Sequence, residues 1–184
     1  IYNYNLDTAV TASNGVAGDY FGIAISFDEQ TQVFIIACAN KQVGGNALQG
    51  AIYCYTDSIW GGGPATYRKW IQRSITTAPD GVAGDVFGIS LHLTNDGFLM
   101  IGCKFRDDIA NNAGAVYVYE RVPGILNIYN YAFRKKITDF GGQADDNLGE
   151  SLHAVGNNYI IGVPGYDAPG RANSGKFITG SVFY

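Results

Sequence analysis

The stretch that decides the fold is GVAGDVFGISLH, at residues 81–92. Two related copies of it occur, GVAGDYFGIAIS at residues 15–26 and GQADDNLGESLH at residues 142–153. The aspartate in the fifth position recurs after 66 and then 61 residues, as Asp19, Asp85 and Asp146. Self-similarity at a nearly constant period is the sequence signature of a repeat architecture. The chain is therefore organised as three copies of one unit.

Each copy also predicts strands on both sides of this segment. An apolar strand ending in a small residue follows it, at residues 33–38, 98–103 and 159–164. A Gly-led aromatic strand comes next, at residues 50–55, 114–119 and 180–184. One more strand-like stretch precedes each Gly-Asp turn, at residues 2–8, 67–75 and 131–137. Val, Ile, Tyr and Phe dominate these stretches, and Gly, Asn and Asp separate them, as expected of strands joined by tight turns.

Four short strands per unit, at a period above 40 residues, predict the blades of a β-propeller. We therefore expect an all-β, propeller-like fold with three four-stranded antiparallel blades in a single domain over residues 1–184. The repeats run approximately over residues 9–66, 67–130 and 131–184. The N-terminal strand, residues 2–8, is expected to complete a blade, an offset that leaves no strand edge unpaired.

The motifs of these copies resemble the FG-GAP repeat, which builds the propellers of integrin α-subunit heads and of certain fungal lectins. The resemblance rests on Gly-Asp-x-Phe-Gly, on a strand ending Ile-Gly-x-Pro, and on Gly-x-Val-Tyr-Val-Tyr. Phe21-Gly22 and Phe87-Gly88 match the first motif, whereas the third copy has Leu148-Gly149. Only the third copy keeps the proline, Pro164. The resemblance spans essentially the whole chain and implies a propeller with a role in binding or adhesion.

The chain departs from the family in one respect. Many FG-GAP repeats carry a calcium loop of the Asp-x-Asp-x-Asp-Gly kind between their first two strands, where oxygen atoms ring a hard cation. The equivalent loops here are residues 27–30, 94–97 and 155–158, and none offers three correctly spaced oxygen ligands. We therefore expect the calcium-free variety of the repeat, with no cofactor. Asp107, Asp108 and Asp167 are expected to bond local backbone rather than a metal.

Three blades are fewer than the roughly 4–8 that single-chain propellers typically contain. A homo-oligomer could pool blades, so that two chains give six. Alternatively, the sequence is a segment of a longer propeller chain, which the short final motif at 182–184 favours slightly. A compact three-blade form is the third alternative.

Composition excludes several classes of protein. The chain has 47% hydrophobic and 15% charged residues, so it is not disordered. Its net charge is −4, and its 12 Lys and Arg residues form no block, so it is not expected to bind nucleic acid. No apolar run approaches the ~20 residues of a membrane span. The three cysteines lie in apolar strand-like runs and are expected to be buried. A disulfide between Cys38 and Cys54 is the alternative for two of them.

The sequence contains no recognised enzyme motif, and we expect no enzymatic activity. The recurrence of Asp19, Asp85 and Asp146 indicates a structural turn, because a catalytic group is rarely needed three times. The adjacent pairs Asp107-Asp108 and Asp145-Asp146 do not supply the two separated carboxylates of a glycosidase.

Five residues are candidates for ligand binding. His92 and His153 occupy the same repeat position, where the first copy has Ser26, and would face a central channel if the first strand lines the axis. An ordinary strand position is the alternative for both. Trp60 lies in a Gly-rich stretch between the third and fourth strands, where it could stack on a sugar or anchor a protein. Tyr131 and Tyr166 are candidates for the same contact role.

The resemblance makes non-catalytic recognition of a glycan or a protein at an extracellular, cell or virion surface the first hypothesis. A structural part of a large assembly, such as a virus particle or appendage, is the second. A polysaccharide-active enzyme on a propeller scaffold is the third, and it lacks an acid–base constellation.

Overall fold

The computed structural model describes residues 9–60, 67–122 and 130–182, with side chains described throughout except at 58–60 and 67–69. The described residues form three antiparallel sheets. The first contains β1 (Phe21–Asp28), β2 (Val33–Cys38), β3 (Ala51–Trp60) and β4 (Tyr67–Thr76). The second contains β5 (Leu91–Leu93), β6 (Phe98–Cys103), β7 (Ala115–Val122) and β8 (Asn130–Ile137). The third contains β9 (Leu152–Val155), β10 (Asn158–Val163) and β11 (Lys176–Ser181).

The first two sheets confirm the predicted blade. Each is a four-stranded meander in which consecutive strands are neighbours, so the fourth strand of a unit lies at the outer edge. The third sheet has the order β11-β10-β9 within the described residues. The strand expected at residues 2–8 lies outside the described residues, and the proposed repeat boundaries stay predictions. The fold class itself, all-β with blade-like sheets, is as expected.

One strand prediction is wrong. The third strand of the last copy was expected at residues 180–184, but the structure places β11 at Lys176–Ser181. Its position is set by Gly175, whose N–H donates to the Tyr166 carbonyl at 3.0 Å. Gly50 and Gly114 donate in the same way, to Lys41 and Arg106, and all three glycines have positive φ. The aromatic residues after Gly180 resemble the Tyr-rich strands, but the glycine turn fixes the register.

The three sheets pack face to face through two hydrophobic cores. One core joins the first two sheets, with Ile35 and Ile52 on one side and Phe87, Leu99 and Tyr117 on the other. The other joins the second and third sheets, and a list of its fully buried members reads Met100, Val116, Val118, Leu148, Ile161 and Val163. The middle sheet is therefore covered on both faces, and every residue of β6 is buried.

The cysteines are buried and free, as expected. Cys38 lies opposite Ala51 and Cys54 opposite Ile35 in the same strand pair. They also belong to different hydrophobic clusters, so no bridge joins them.

The second and third Gly-Asp turns connect their sheets to the sheets before them. In every copy the buried aspartate accepts a hydrogen bond of 2.8 Å from the N–H three residues earlier, which confirms its structural role: Asp19 from Val16, Asp85 from Val82 and Asp146 from Gln143. The next two residues of the second turn reach the first sheet, where the N–H groups of Val86 and Phe87 each donate at 2.9 Å to the carbonyls of Leu48 and Gln49. The turn therefore both shapes itself and docks the sheet that follows.

Within the described ranges, no helix is long and apolar enough to cross a bilayer.

Phe87 and Phe21 provide a matched test of this packing. Phe21 contacts Tyr53 edge to face and Phe87 contacts Tyr117 in the same way, each at a centroid distance of 5.4 Å. Phe87 is fully buried between two sheets, whereas Phe21 is half-buried on the outer face of the first sheet. We expect Phe87→Ala to lower the free energy of unfolding by about 3–5 kcal/mol. Phe21→Ala should cost clearly less, and equal losses in chemical denaturation would contradict the difference in burial.

Candidate functional site

The first strands of neighbouring sheets lie side by side, as expected if they line an axis. β5 contacts β1 on one side and β9 on the other. The N–H of Leu93 on β5 donates to the Ser26 hydroxyl on β1 at 3.0 Å. Across the other junction, the rings of His92 and His153 meet at a centroid distance of 4.2 Å and an interplanar angle of 60°. The structure therefore brings together the two histidines that share one repeat position.

A pocket of about 470 Å³ opens beside this histidine pair. We call it the axial pocket, and its lining comes from β5, β9 and the turns that follow them: His92, Leu93, Thr94, Asn95, Asp96, His153, Ala154, Val155 and Gly156. The Asn95 and Asp96 side chains are exposed, whereas Thr94 is buried and its hydroxyl is bonded to the backbone of Phe98. The pocket therefore combines two imidazoles, one amide and one carboxylate.

Burial and charge both act on His92. Partial burial lowers its pKa, and the neighbouring His153 lowers it further, because a second positive charge at this distance is unfavourable. A hydrogen bond with the backbone of Ala154 opposes the shift without cancelling it. The less buried ring, His153, is exposed to solvent. At neutral pH His92 is therefore held in its neutral form, able to donate or accept a hydrogen bond.

The described residues contain no group of three or more His, Cys, Asp or Glu side chains placed to hold a metal ion. In the first of the loops compared with calcium sites, Asp28 is fully buried and already bound by protein groups. Its oxygens accept from the Thr31 hydroxyl at 2.5 Å and from the Arg121 guanidinium at 2.6 Å. A guanidinium thus supplies the positive charge at this carboxylate, and the absence of a cofactor stays a prediction.

A charged cluster lies at the opposite end of the second sheet. Arg106 contacts Asp85 at 3.0 Å and Asp108 at 2.9 Å, and Lys136 contacts Asp80 at 2.6 Å. Burial raises the pKa of Asp85 despite its bonds to Arg106 and the Val82 N–H. These groups are paired with one another, and Tyr117 also donates to Asp80 at 2.7 Å. The cluster joins a turn to two strands, which is a structural use of its charges.

The turn aspartates Asp107 and Asp167 bond local backbone, as expected. Each accepts a hydrogen bond from a downstream N–H, that of Asn112 at 2.7 Å and that of Asn173 at 2.5 Å. Asp108 differs, because it pairs with Arg106 and Lys136.

The other candidate residues lie away from the axial pocket. Tyr131 is on β8, the outermost strand of its sheet, and packs against the core between the first two sheets. Tyr166 follows β10, at the end of the sheet opposite the pocket, where the Lys176 ammonium lies 3.9 Å from its ring centroid. Trp60 was predicted in a loop between the third and fourth strands, but this is wrong, because the structure places it at the end of β3, paired with Tyr67. Its side chain lies outside those described. Their roles in ligand binding stay predictions.

Sequence reasoning did not assign Asn95 and Asp96 to the site. It treated the 94–97 segment only as the equivalent of a calcium loop, without correctly spaced ligands. The available signal was the position of this segment: it directly follows the strand that carries His92, so its side chains lie at the same end of the axis.

Comparison with known families agrees with this architecture. Residues 70–119 match the model of the FG-GAP repeat. The matched segment runs from within β4 to within β7 and contains the second Gly-Asp turn. Together with the three antiparallel sheets, the match supports the expected FG-GAP β-propeller-like protein. A search of curated protein sequences finds no match to the chain.

The histidine pair predicts a pH dependence. Because the pKa of His92 is lowered, the unfolded chain binds its proton more readily than the folded chain does. The free energy of unfolding should therefore fall as the pH drops below about 6.5, the ordinary pKa of histidine. His153→Gln removes the like charge and should move the pKa of His92 upward. An NMR titration of the ring protons measures this pKa, and an unchanged value in the variant would contradict the coupling.

Proposed function

We propose that the chain is a non-catalytic binding module that recognises a glycan through the axial pocket. FG-GAP repeats are often involved in binding or adhesion. The observation that carries the proposal is the pocket itself, in which the exposed side chains of Asn95 and Asp96 on the second sheet lie beside a histidine pair that joins the second and third sheets. The proposal places the protein outside cells, at a cell surface or at a virion surface.

The chemistry of the lining suits a sugar. Asn95 supplies both a donor and an acceptor, and Asp96 supplies acceptors. The neutral ring of His92 already bonds the backbone of Ala154, which leaves its other nitrogen for a sugar hydroxyl. Sugar hydroxyls need such paired donors and acceptors. The imidazole faces and the exposed apolar side chain of Val155 offer surface for the C–H groups of a pyranose. A volume of about 470 Å³ is within the usual range for a small-molecule site.

The same lining argues against glycoside hydrolysis. That reaction requires two carboxyl groups about 5–10 Å apart across the scissile bond. Asp96 is the only carboxylate among the described residues that line the axial pocket. Recognition without bond cleavage therefore fits the site better than the polysaccharide-active alternative.

A structural role in a large assembly is the second candidate. It is favoured by a different observation, the exposed apolar faces of the first and third sheets. In that case the axial pocket would have no ligand of its own.

A glycan array tests the proposal directly. The wild-type chain should bind a defined set of glycans, and His153→Ala and Asn95→Ala should each weaken that binding by up to about tenfold, the effect of losing one hydrogen bond. Both side chains are exposed, so neither change should unfold the chain. Asn111→Ala is the matched control, because Asn111 is an exposed asparagine at the opposite end of the second sheet.

Three outcomes would contradict the assignment. Absence of binding to any glycan favours the structural candidate. Equal losses in the Asn95 and Asn111 variants would indicate a general effect on folding. Loss of binding in Trp60→Ala with normal binding in His153→Ala would move the site to the connection after β3.

A further inference from the structure

The outer face of the first sheet is an exposed apolar surface. The equivalent face of the second sheet is covered, because the first sheet packs on it. Ile25 on β1 occupies the repeat position of Leu91 on β5. Leu91 is 8% exposed because it packs against the first sheet, whereas Ile25 is 65% exposed. Phe27 likewise corresponds to the buried Leu93 and is exposed. The first sheet thus presents the side chains of a blade junction, and no sheet among the described residues packs on them.

The outer face of the third sheet is also exposed, although the equivalent face of the second sheet is covered. Phe177 on β11 occupies the position of Val116 on β7 and Ile52 on β3, as the strand registers show. Val116 is fully buried against the next sheet, whereas Phe177 is 67% exposed. Ile160 on β10 corresponds to the buried Met100 and is also exposed. No sheet among the described residues covers this face. We call it and the outer face of the first sheet the free faces.

The backbone of both free faces already has the conformation of a junction. At each formed junction a residue of the Gly-Asp turn with positive φ donates to the carbonyl of a loop residue that also has positive φ. These pairs are Val86 with Leu48 at 2.9 Å and Asn147 with Asn112 at 3.0 Å. The equivalent residues on the free faces are Tyr20, with φ 56°, and Asn173, with φ 48°. The donor half therefore lies on the first sheet and the acceptor half on the third.

Glycines at equivalent repeat positions show that the free faces have room for a neighbouring blade: Gly22 corresponds to Gly88, and Gly175 corresponds to Gly114. A Cβ added to Gly88 or to Gly114 would contact the adjacent sheet, 3.1 Å from the Ala37 Cβ and 2.3 Å from the Leu148 carbonyl oxygen. A Cβ added to Gly22 would meet nothing within 4 Å, and one added to Gly175 would meet only its own sheet. Both free faces are thus open where the formed junctions are in close contact.

We propose that a second copy of this chain docks head to tail, with the third sheet of one copy packing on the first sheet of the other. The contact is heterologous, because the two faces differ, and a heterologous contact generates a ring when its rotation closes. Two copies supply six blades, within the roughly 4–8 of known propellers, whereas three copies would supply nine. The proposal therefore commits to a closed dimer, and the observations that support it do not depend on what the axial pocket binds.

Native mass spectrometry and light scattering of the purified chain test the inference. The wild type should have twice the mass of a 19.8 kDa chain. Ile25→Asp and Phe177→Asp each place a carboxylate in one face of the junction, and each alone should shift the mass to that of one chain. Both side chains are exposed within one copy, so the variants should stay folded, which circular dichroism checks.

Phe140→Asp is the matched control, because Phe140 is 99% exposed and lies in the connection between β8 and β9, away from both faces. It should keep the dimer. Loss of the dimer in only one of the two face variants would indicate a symmetric contact and overturn the head-to-tail arrangement. A wild type that stays at the mass of one chain into the millimolar range would overturn the proposal and leave the faces to further blades of a longer chain or to another partner.

Discussion

The docking of the second and third Gly-Asp turns onto the sheets before them is the constraint on which the rest of the structure depends. The buried aspartate fixes the turn by accepting an N–H from three residues earlier, and the next residue then takes a left-handed conformation. At Val86 this conformation is strained, because a β-branched side chain disfavours positive φ. The strain is offset by the hydrogen bond to Leu48 and by complete burial of Phe87. Sheet order and face-to-face packing both follow from this contact.

The fold was largely predictable because the repeat marks the turn that positions each sheet. Spacing from one aspartate to the next correctly located the strands of the first two sheets, including the outer strands β4 and β8. The error at β11 arose from reading aromatic content rather than turn chemistry. The strand contains a single aromatic residue, Phe177, and its start is fixed by the glycine turn at Gly175.

The candidate site was predictable in part, for the same reason. Equivalent repeat positions predicted that His92 and His153 would be related, and the structure places their rings in contact. The sequence could not show which tyrosines would lie at the candidate site. The face that a strand residue presents to a neighbouring sheet depends on contacts with residues that are distant in sequence. The third copy illustrates this limit: Tyr166 stands where Lys41 and Arg106 pair with their aspartates. One oxygen of Asp146 consequently has no hydrogen-bond partner among the described residues.

The axial pocket and the exposed outer face of the third sheet are physically connected, because His153 on β9 belongs to both. The pocket is lined by the first strands and turns of only the second and third sheets, so one side of it is open. The first sheet contributes Ser26 to the same axis, but its hydroxyl is bonded to Leu93 at the other junction. Any blade that covered the third sheet would place its own first strand beside β9 and His153. A ligand of the axial pocket and a partner blade would therefore influence each other, since the blade would build the missing wall of the site. In a closed dimer this wall would come from the first sheet of the second copy, and each ring would contain two equivalent histidine pairs.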